Sequence, residues 1–132
     1  LLNVAELSRT SGISTTTLHR YLIILETLFL IDFQLPWSSN LGKRLVKAPK
    51  VNLVDSGMLS FLLGLDVEAP YLDGRILGPI VENFVVSELR KQITWNQTRV
   101  QLFHSRTVTG IEVDILLEDA VGRIVCIEIK NS

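Results

Sequence analysis

Two stretches near the end of the chain, Ile111-Glu112-Val113-Asp114-Ile115-Leu116-Leu117 and Arg123-Ile124-Val125-Cys126-Ile127-Glu128-Ile129-Lys130, decide the fold. In each, apolar and polar residues alternate with the period of two that a half-buried strand requires. Val113, Ile115 and Leu117 share one face, and Val125, Ile127 and Ile129 share one face of the next strand. Matching the apolar faces sets the register of the hairpin, whose turn is residues 118–122. Val113 then lies opposite Ile129, Ile115 opposite Ile127, Asp114 opposite Glu128 and Glu112 opposite Lys130.

Two like charges directly across a sheet destabilise it, so a purely structural hairpin should avoid an Asp114–Glu128 pair. A divalent cation removes the penalty. Paired acidic oxygens suit a hard ion such as Mg²⁺ or Mn²⁺, which can also bind phosphate oxygens and lower the pKa of a bound water. Lys130, on the same face as Glu128, is placed to position that water or to neutralise charge developing on a phosphate. Asp114 and Glu128 are therefore the candidate metal ligands, with Lys130 beside them as a catalytic candidate. The alternative for Glu112 and Lys130 is a plain cross-strand ion pair.

Working outward, residues 77–92 read as a helix, with Gly78-Pro79 in its first turn as proline placement at helix starts favours. Glu82 stands in it among Ile80, Val81, Phe84, Val85 and Val86, and an acid in such apolar company needs a partner. The metal site is one candidate, which makes Glu82 a fourth catalytic candidate; a cap or a neighbouring salt bridge is the other. A third strand is expected over residues 100–105. Residues 65–76, with Pro70, Gly74 and three acids, read as a linker.

The front of the chain has a different pattern. Asn3 can cap a helix running to about Ser11, Gly12 breaks it, and Ser14 and Thr15 offer caps for a second helix. Leu18, Tyr21, Leu22, Leu25, Leu28 and Phe29 follow helical spacing, and small Ser8 lets the two helices approach. This is a helix-turn-helix pattern, followed by strands over residues 30–35 and 44–54 that would form a wing, and by a short helix over 58–63. Thr15, Thr16, Thr17, His19 and Arg20 at the start of the second helix can reach phosphates or base edges. Lys43, Arg44, Lys47 and Lys50 on the wing can add phosphate contacts. One arginine and one histidine favour contact with the DNA backbone over base readout; a helical hairpin packed against another domain or subunit is the alternative.

Composition agrees with two unlike parts. Residues 1–50 carry six Lys/Arg against three Asp/Glu, a net +3, whereas residues 51–132 carry seven against eleven, a net −4, within an overall charge of −1. A hydrophobic content of 47% supports a packed core and argues against a disordered tail. Cys126 is the sole cysteine, so no internal disulfide can form, and the most apolar stretch, residues 22–31, falls short of the about 20 residues of a membrane span. A cytoplasmic protein is expected.

Helix-Glu, strand-Asp and strand-Glu-x-Lys, here Gly78-Pro79-Ile80-Val81-Glu82-Asn83-Phe84, Gly110-Ile111-Glu112-Val113-Asp114 and Ile127-Glu128-Ile129-Lys130, resemble the PD-(D/E)XK nuclease superfamily. The proline of its naming motif is absent, since Val113 precedes Asp114. With the helix-turn-helix and the stretch Asn40-Leu41-Gly42-Lys43-Arg44-Leu45-Val46-Lys47-Ala48-Pro49-Lys50-Val51, the chain resembles domain of unknown function 4143 over nearly its whole length. That family forms the C-terminal half of prokaryotic AAA-type ATPases.

The resemblance implies an α/β (α+β) fold: a winged helix-turn-helix over 1–64, a linker over 65–76 and, over 77–132, a partial restriction-endonuclease-like core with a mixed sheet, continuing past Ser132. It also implies an ATP-binding domain upstream, and self-association is a further expectation. No ATP site is expected in this chain, because Gly42-Lys43 is followed by Arg44 and has no glycine five positions earlier. The activity implied is Mg²⁺-dependent hydrolysis of DNA phosphodiesters; the rivals are an inactive regulatory or interaction module of the ATPase, and a transcription regulator with a dimerisation domain.

Overall fold

In a computed structural model, which describes residues 1–40, 48–65, 74–106 and 110–130, the chain is a mixed α+β protein. Among these residues there are four helices and a five-stranded mixed sheet: α1 (Val4–Ser11), α2 (Thr15–Thr27), β1 (Ile31–Pro36), β2 (Lys50–Leu53), α3 (Ser56–Leu62), α4 (Gly74–Trp95), β3 (Val100–Arg106), β4 (Glu112–Asp119) and β5 (Ile124–Ile127). The sheet order is β2-β1-β3-β4-β5.

The expected caps form. The Asn3 side chain accepts from the Glu6 amide, Gly12 ends α1 at a left-handed φ of 71°, and the Ser14 hydroxyl accepts from the Thr17 amide at the start of α2. Ser8 does more than permit close approach, since its hydroxyl donates to the Ile13 carbonyl at 2.6 Å and pins the turn. The interior face expected of α2 is only partly realised. Leu18, Leu22 and Leu25 are half-buried, whereas Tyr21, Leu28 and Phe29 are exposed, because the described sheet and α1 cover only one side of the helix.

The strand pair expected as a wing belongs to the main sheet. β1 pairs antiparallel with β2, Ile31 opposite Leu53, and on its other edge runs parallel to β3, with Leu35 opposite Phe103. At the far side the apolar matching holds: Ile115 lies opposite Ile127 and Leu117 opposite Val125. The hairpin turn is organised by Asp119, whose carboxylate accepts from the Val121 and Arg123 amides, with Gly122 at φ 83°.

α4 starts earlier than the sequence suggests and holds Pro79 in its interior rather than its first turn. Its inward stripe, Glu82, Val86, Leu89 and Ile93, follows the i, i+4, i+7, i+11 spacing of one helix face. Val86 joins Leu102 and Ile115 in the core, with Leu117, Ile127 and Ile129 packed against it, so both strand faces identified as apolar meet this helix. Asn83 fastens α4 to β2: its amide accepts from Leu53 N at 2.8 Å and donates to Leu53 O at 2.9 Å, and Ser87 donates to the same carbonyl at 3.1 Å.

One buried side chain spans three strands. Gln34 of β1 donates through Nε2 to the Phe103 carbonyl at 3.0 Å and to the Asp114 carbonyl at 2.7 Å, where β3 and β4 slip register between Phe103 and Ser105. A register shift leaves backbone groups without ladder partners, and a long amide can supply the donors. Replacing Gln34 by alanine removes both donors and leaves a void, so urea denaturation should show a loss on the order of 2–3 kcal/mol. An unchanged unfolding midpoint would mean the bridge does not hold the sheet.

Candidate functional site

Three acids from two elements meet one lysine. Glu112 and Asp114, two residues apart on β4, share a strand face, and Glu82 heads the inward stripe of α4. Between them stands the ammonium of Lys50, the first residue of β2, 2.7 Å from Glu82 Oε1, 2.9 Å from Glu112 Oε1 and 3.6 Å from Asp114 Oδ1. The lysine side chain is only 12% exposed. The second carboxylate oxygen of Asp114 accepts from the Ile129 amide at 2.9 Å, and its carbonyl accepts from Gln34, so this residue is held at both backbone and side chain.

Burial alone would lower the Lys50 pKa, but the hydrogen bonds and charges of Glu82 and Glu112 outweigh it and raise the pKa above the ordinary lysine value. The hydrogen bond from Lys50 holds the Glu112 carboxyl below its usual range, against a smaller opposing effect of burial. His104 of β3, nearly fully buried, feels both charges. Burial first and the positive charge of Lys50 second push it down to about 4, so its imidazole is neutral at neutral pH. Beside the cluster opens a cavity of about 710 Å³, with Lys50, Glu82, Asn83 and Glu112 on one side and α1 residues Glu6 and Thr10 on the other.

Of the four expected catalytic residues, Glu82 and Asp114 come together here, and Glu128 and Lys130 do not join them. The β4–β5 ladder stops at Ile115 and Ile127, one pair before Asp114 and Glu128. Beyond it Glu128 and Lys130 are exposed, 62% and 76%, and pair with each other at 3.6 Å. The cross-strand partner proposed for Glu112 is likewise replaced, with Lys50 in the place of Lys130. Lys50 itself is no phosphate contact on an exposed wing, because it is turned into the cluster.

The implied Mg²⁺ can be tested against this geometry. Mg²⁺ draws its oxygens to about 2.1 Å in a near-octahedral shell. Here the facing oxygens of Glu82 and Glu112 sit at hydrogen-bond distance about an ammonium, and Asp114 is committed to Lys50 and to a backbone amide. Among the described residues no group of three or more His, Cys, Asp or Glu is disposed to hold a metal ion. The residues as they stand do not fit the ion.

On α2, Thr15, Thr16, His19 and Arg20 are exposed, whereas Thr17 is half-buried with its hydroxyl 2.9 Å from Ser14 Oγ. Lys43, Arg44 and Lys47 lie outside the described residues. Sequence reasoning missed Gln34, Asn83 and His104. Their only signal was polarity inside apolar runs, Phe33-Gln34-Leu35 and Leu102-Phe103-His104 above all.

Two predictions follow from the electrostatics. Lys50→Met leaves the acids without their counter-ion and should cost on the order of 2 kcal/mol at pH 7. The depressed pKa of Glu112 contributes stability above its unfolded value of 4.5 and loses it as pH falls through the folded value; the gap between parent and variant, measured by denaturation across pH, should therefore narrow below pH 4.5. His104 acts separately. The unfolded chain takes up its proton near 6.5 and the folded chain only near 4, so stability should fall as pH drops between those values. His104→Gln should flatten that part of the curve, and an unaltered pH profile would refute the assignment.

No helix among the described residues is long and apolar enough to cross a membrane, and Cys126 is a free, exposed thiol. No solved structure matches the chain. Two uncharacterized proteins, Mb2031c of Mycobacterium bovis and Rv2008c of Mycobacterium tuberculosis, are each 33% identical over all 132 residues, and the chain spans 29% of the length of each. The resemblance expected over nearly the whole chain is divided between two family models. Residues 77–132 match the domain of unknown function DUF4143. Residues 1–69, more than half of the chain, match a different model, and the chain belongs to the family described as domain of unknown function DUF8612.

Proposed function

We propose that this chain is a metal-independent interaction module of a larger AAA-type ATP-binding protein, with a nuclease-like core that serves as scaffold and a helix pair that docks a protein surface, that of the ATPase above all. The observation that carries this reading is the uncovered apolar side of α2. No residue of α1 or α2 is buried, and Tyr21, Ile24 and Leu28, spaced i, i+3, i+7, stand half or more exposed on one stripe. Phe29, 81% exposed at a positive φ of 57°, extends it. A helix displaying such a stripe reads as helix-in-groove recognition rather than as a nucleic-acid surface. The neutralisation of Glu82 and Glu112 by Lys50 supports a core that does no hydrolysis of its own.

A second reading, a winged helix-turn-helix that holds DNA for Mg²⁺-dependent cleavage, is favoured by the exposed Thr15, Thr16, His19 and Arg20 at the start of the same helix. Calorimetry of the 132-residue chain against the remainder of its full-length protein should give binding that Ile24→Glu and Leu28→Glu each weaken about tenfold, that is by about 1.4 kcal/mol. Duplex DNA should bind weakly, and a supercoiled plasmid with Mg²⁺ should stay intact. Tight DNA binding lost in Arg20→Ala, with no binding to the remainder, would replace the first reading by the second.

A further inference from the structure

The acidic cluster and the cation implied for it disagree in an informative way. An ammonium is a compact cation with three donors, and three carboxylates, Glu82, Glu112 and Asp114, offer one oxygen each to Lys50. Contacts of 2.7 and 2.9 Å are charge-assisted hydrogen bonds of ordinary length, so two of the three oxygens are spaced for an ammonium and not for the shorter bonds of Mg²⁺ or Mn²⁺. The remaining Asp114 oxygen accepts from the Ile129 amide, which fixes the orientation of its carboxylate.

We propose that Lys50 is the resident cation of this cluster. Its ammonium occupies the space between Glu82, Glu112 and Asp114, so the parent chain binds no divalent ion there, and removal of Lys50 opens the position to one. Two features favour the lysine in that competition. It is tethered, so it competes at the high effective concentration of an intramolecular group. A divalent ion entering beside it would also have to share the same acids with the ammonium in a partly buried place, and the two cations repel each other there. The lysine is held there by β2, whose Leu53 is clamped to α4 by Asn83, so that strand and helix bring Lys50 and Glu82 together as one unit. The inference rests on ion-pair geometry alone and stands whether or not α2 docks a protein.

The test is Mn²⁺ titration, followed by calorimetry and by electron paramagnetic resonance, of the parent, Lys50→Met and the double variant Lys50→Met/Glu112→Gln. The parent should show no saturable site at millimolar Mn²⁺. Lys50→Met should gain one at least about tenfold tighter than any binding by the parent, and the double variant should lose it. Saturable binding by the parent that Asp114→Asn abolishes would overturn the proposal, as would a folded Lys50→Met that gains nothing.

Should Lys50→Met fail to fold, the parent supplies its own readout. Acylation of lysines by an N-hydroxysuccinimide ester, located by mass spectrometry, should be slow at Lys50 relative to the 76%-exposed Lys130, and unchanged by Mn²⁺. Faster acylation of Lys50 in the presence of Mn²⁺ would mean that the ion displaces the ammonium, and would overturn the proposal.

Discussion

β1 is hydrogen-bonded along both edges, antiparallel to β2 and parallel to β3, and this double pairing makes one sheet from segments that match two different family models. The parallel contact covers only two residue pairs, Leu35 with Phe103 and Pro36 with His104, so backbone ladder alone holds it weakly. Gln34 reinforces it from the side, reaching past β3 to the backbone of β4. A fully buried amide with such partners is far costlier to leave unmet than it is stabilising to satisfy, which makes the junction specific as well as firm. Through it, the position of Asp114 depends on a residue eighty places earlier in the chain.

Charge is handled on both sides of that junction by pairing under partial burial. Lys50 neutralises Glu82 and Glu112 well enough that its own pKa rises and that of Glu112 falls, the signature of an interaction that outweighs desolvation. Arg90 and Asp32 behave differently. They are ion-paired, and Arg90 also donates to the Phe33 carbonyl, yet burial raises the Asp32 pKa and lowers that of Arg90. There desolvation exceeds attraction, so this pair orients α4 against β1 more than it stabilises the fold. The contrast explains why the lysine cluster is the place where a single substitution should alter both stability and ligand preference.

The small core has a consequence for the rest of the surface. Among the described residues, buried apolar side chains are confined to the sheet and α4, while α2 with its C-cap and α3 display Ile24, Leu28, Phe61 and Leu62 to solvent. Exposed aliphatic and aromatic side chains in such density are unusual on a free surface, and they are what the proposed docking would cover. The chain spans 29% of the length of its two curated relatives, and the docking role proposed for α2 rests on the exposed stripe itself.

Local chemistry was legible in the residue order. The caps at Asn3 and Ser14, the left-handed Gly12, the hairpin about Asp119 and Gly122, and the Ile115–Ile127 register all follow from contacts within a few residues or from strict alternation. The need of Glu82 for a partner was legible as well, because an acid in apolar company is costly to leave unmet, and Lys50 meets it. Residue order thus settled the local caps and turns and the register of the β4–β5 hairpin, but not the face that α2 buries or the start of α4. Long-range packing settled the rest: that β1 joins β3, that Pro79 lies within α4, and that Lys50 rather than Lys130 meets the acids. The reason is range: periodicity constrains the side of a strand or helix, whereas the partner across the sheet is chosen by loop closure and packing, and a lysine near a loop reads as surface until a distant strand covers it.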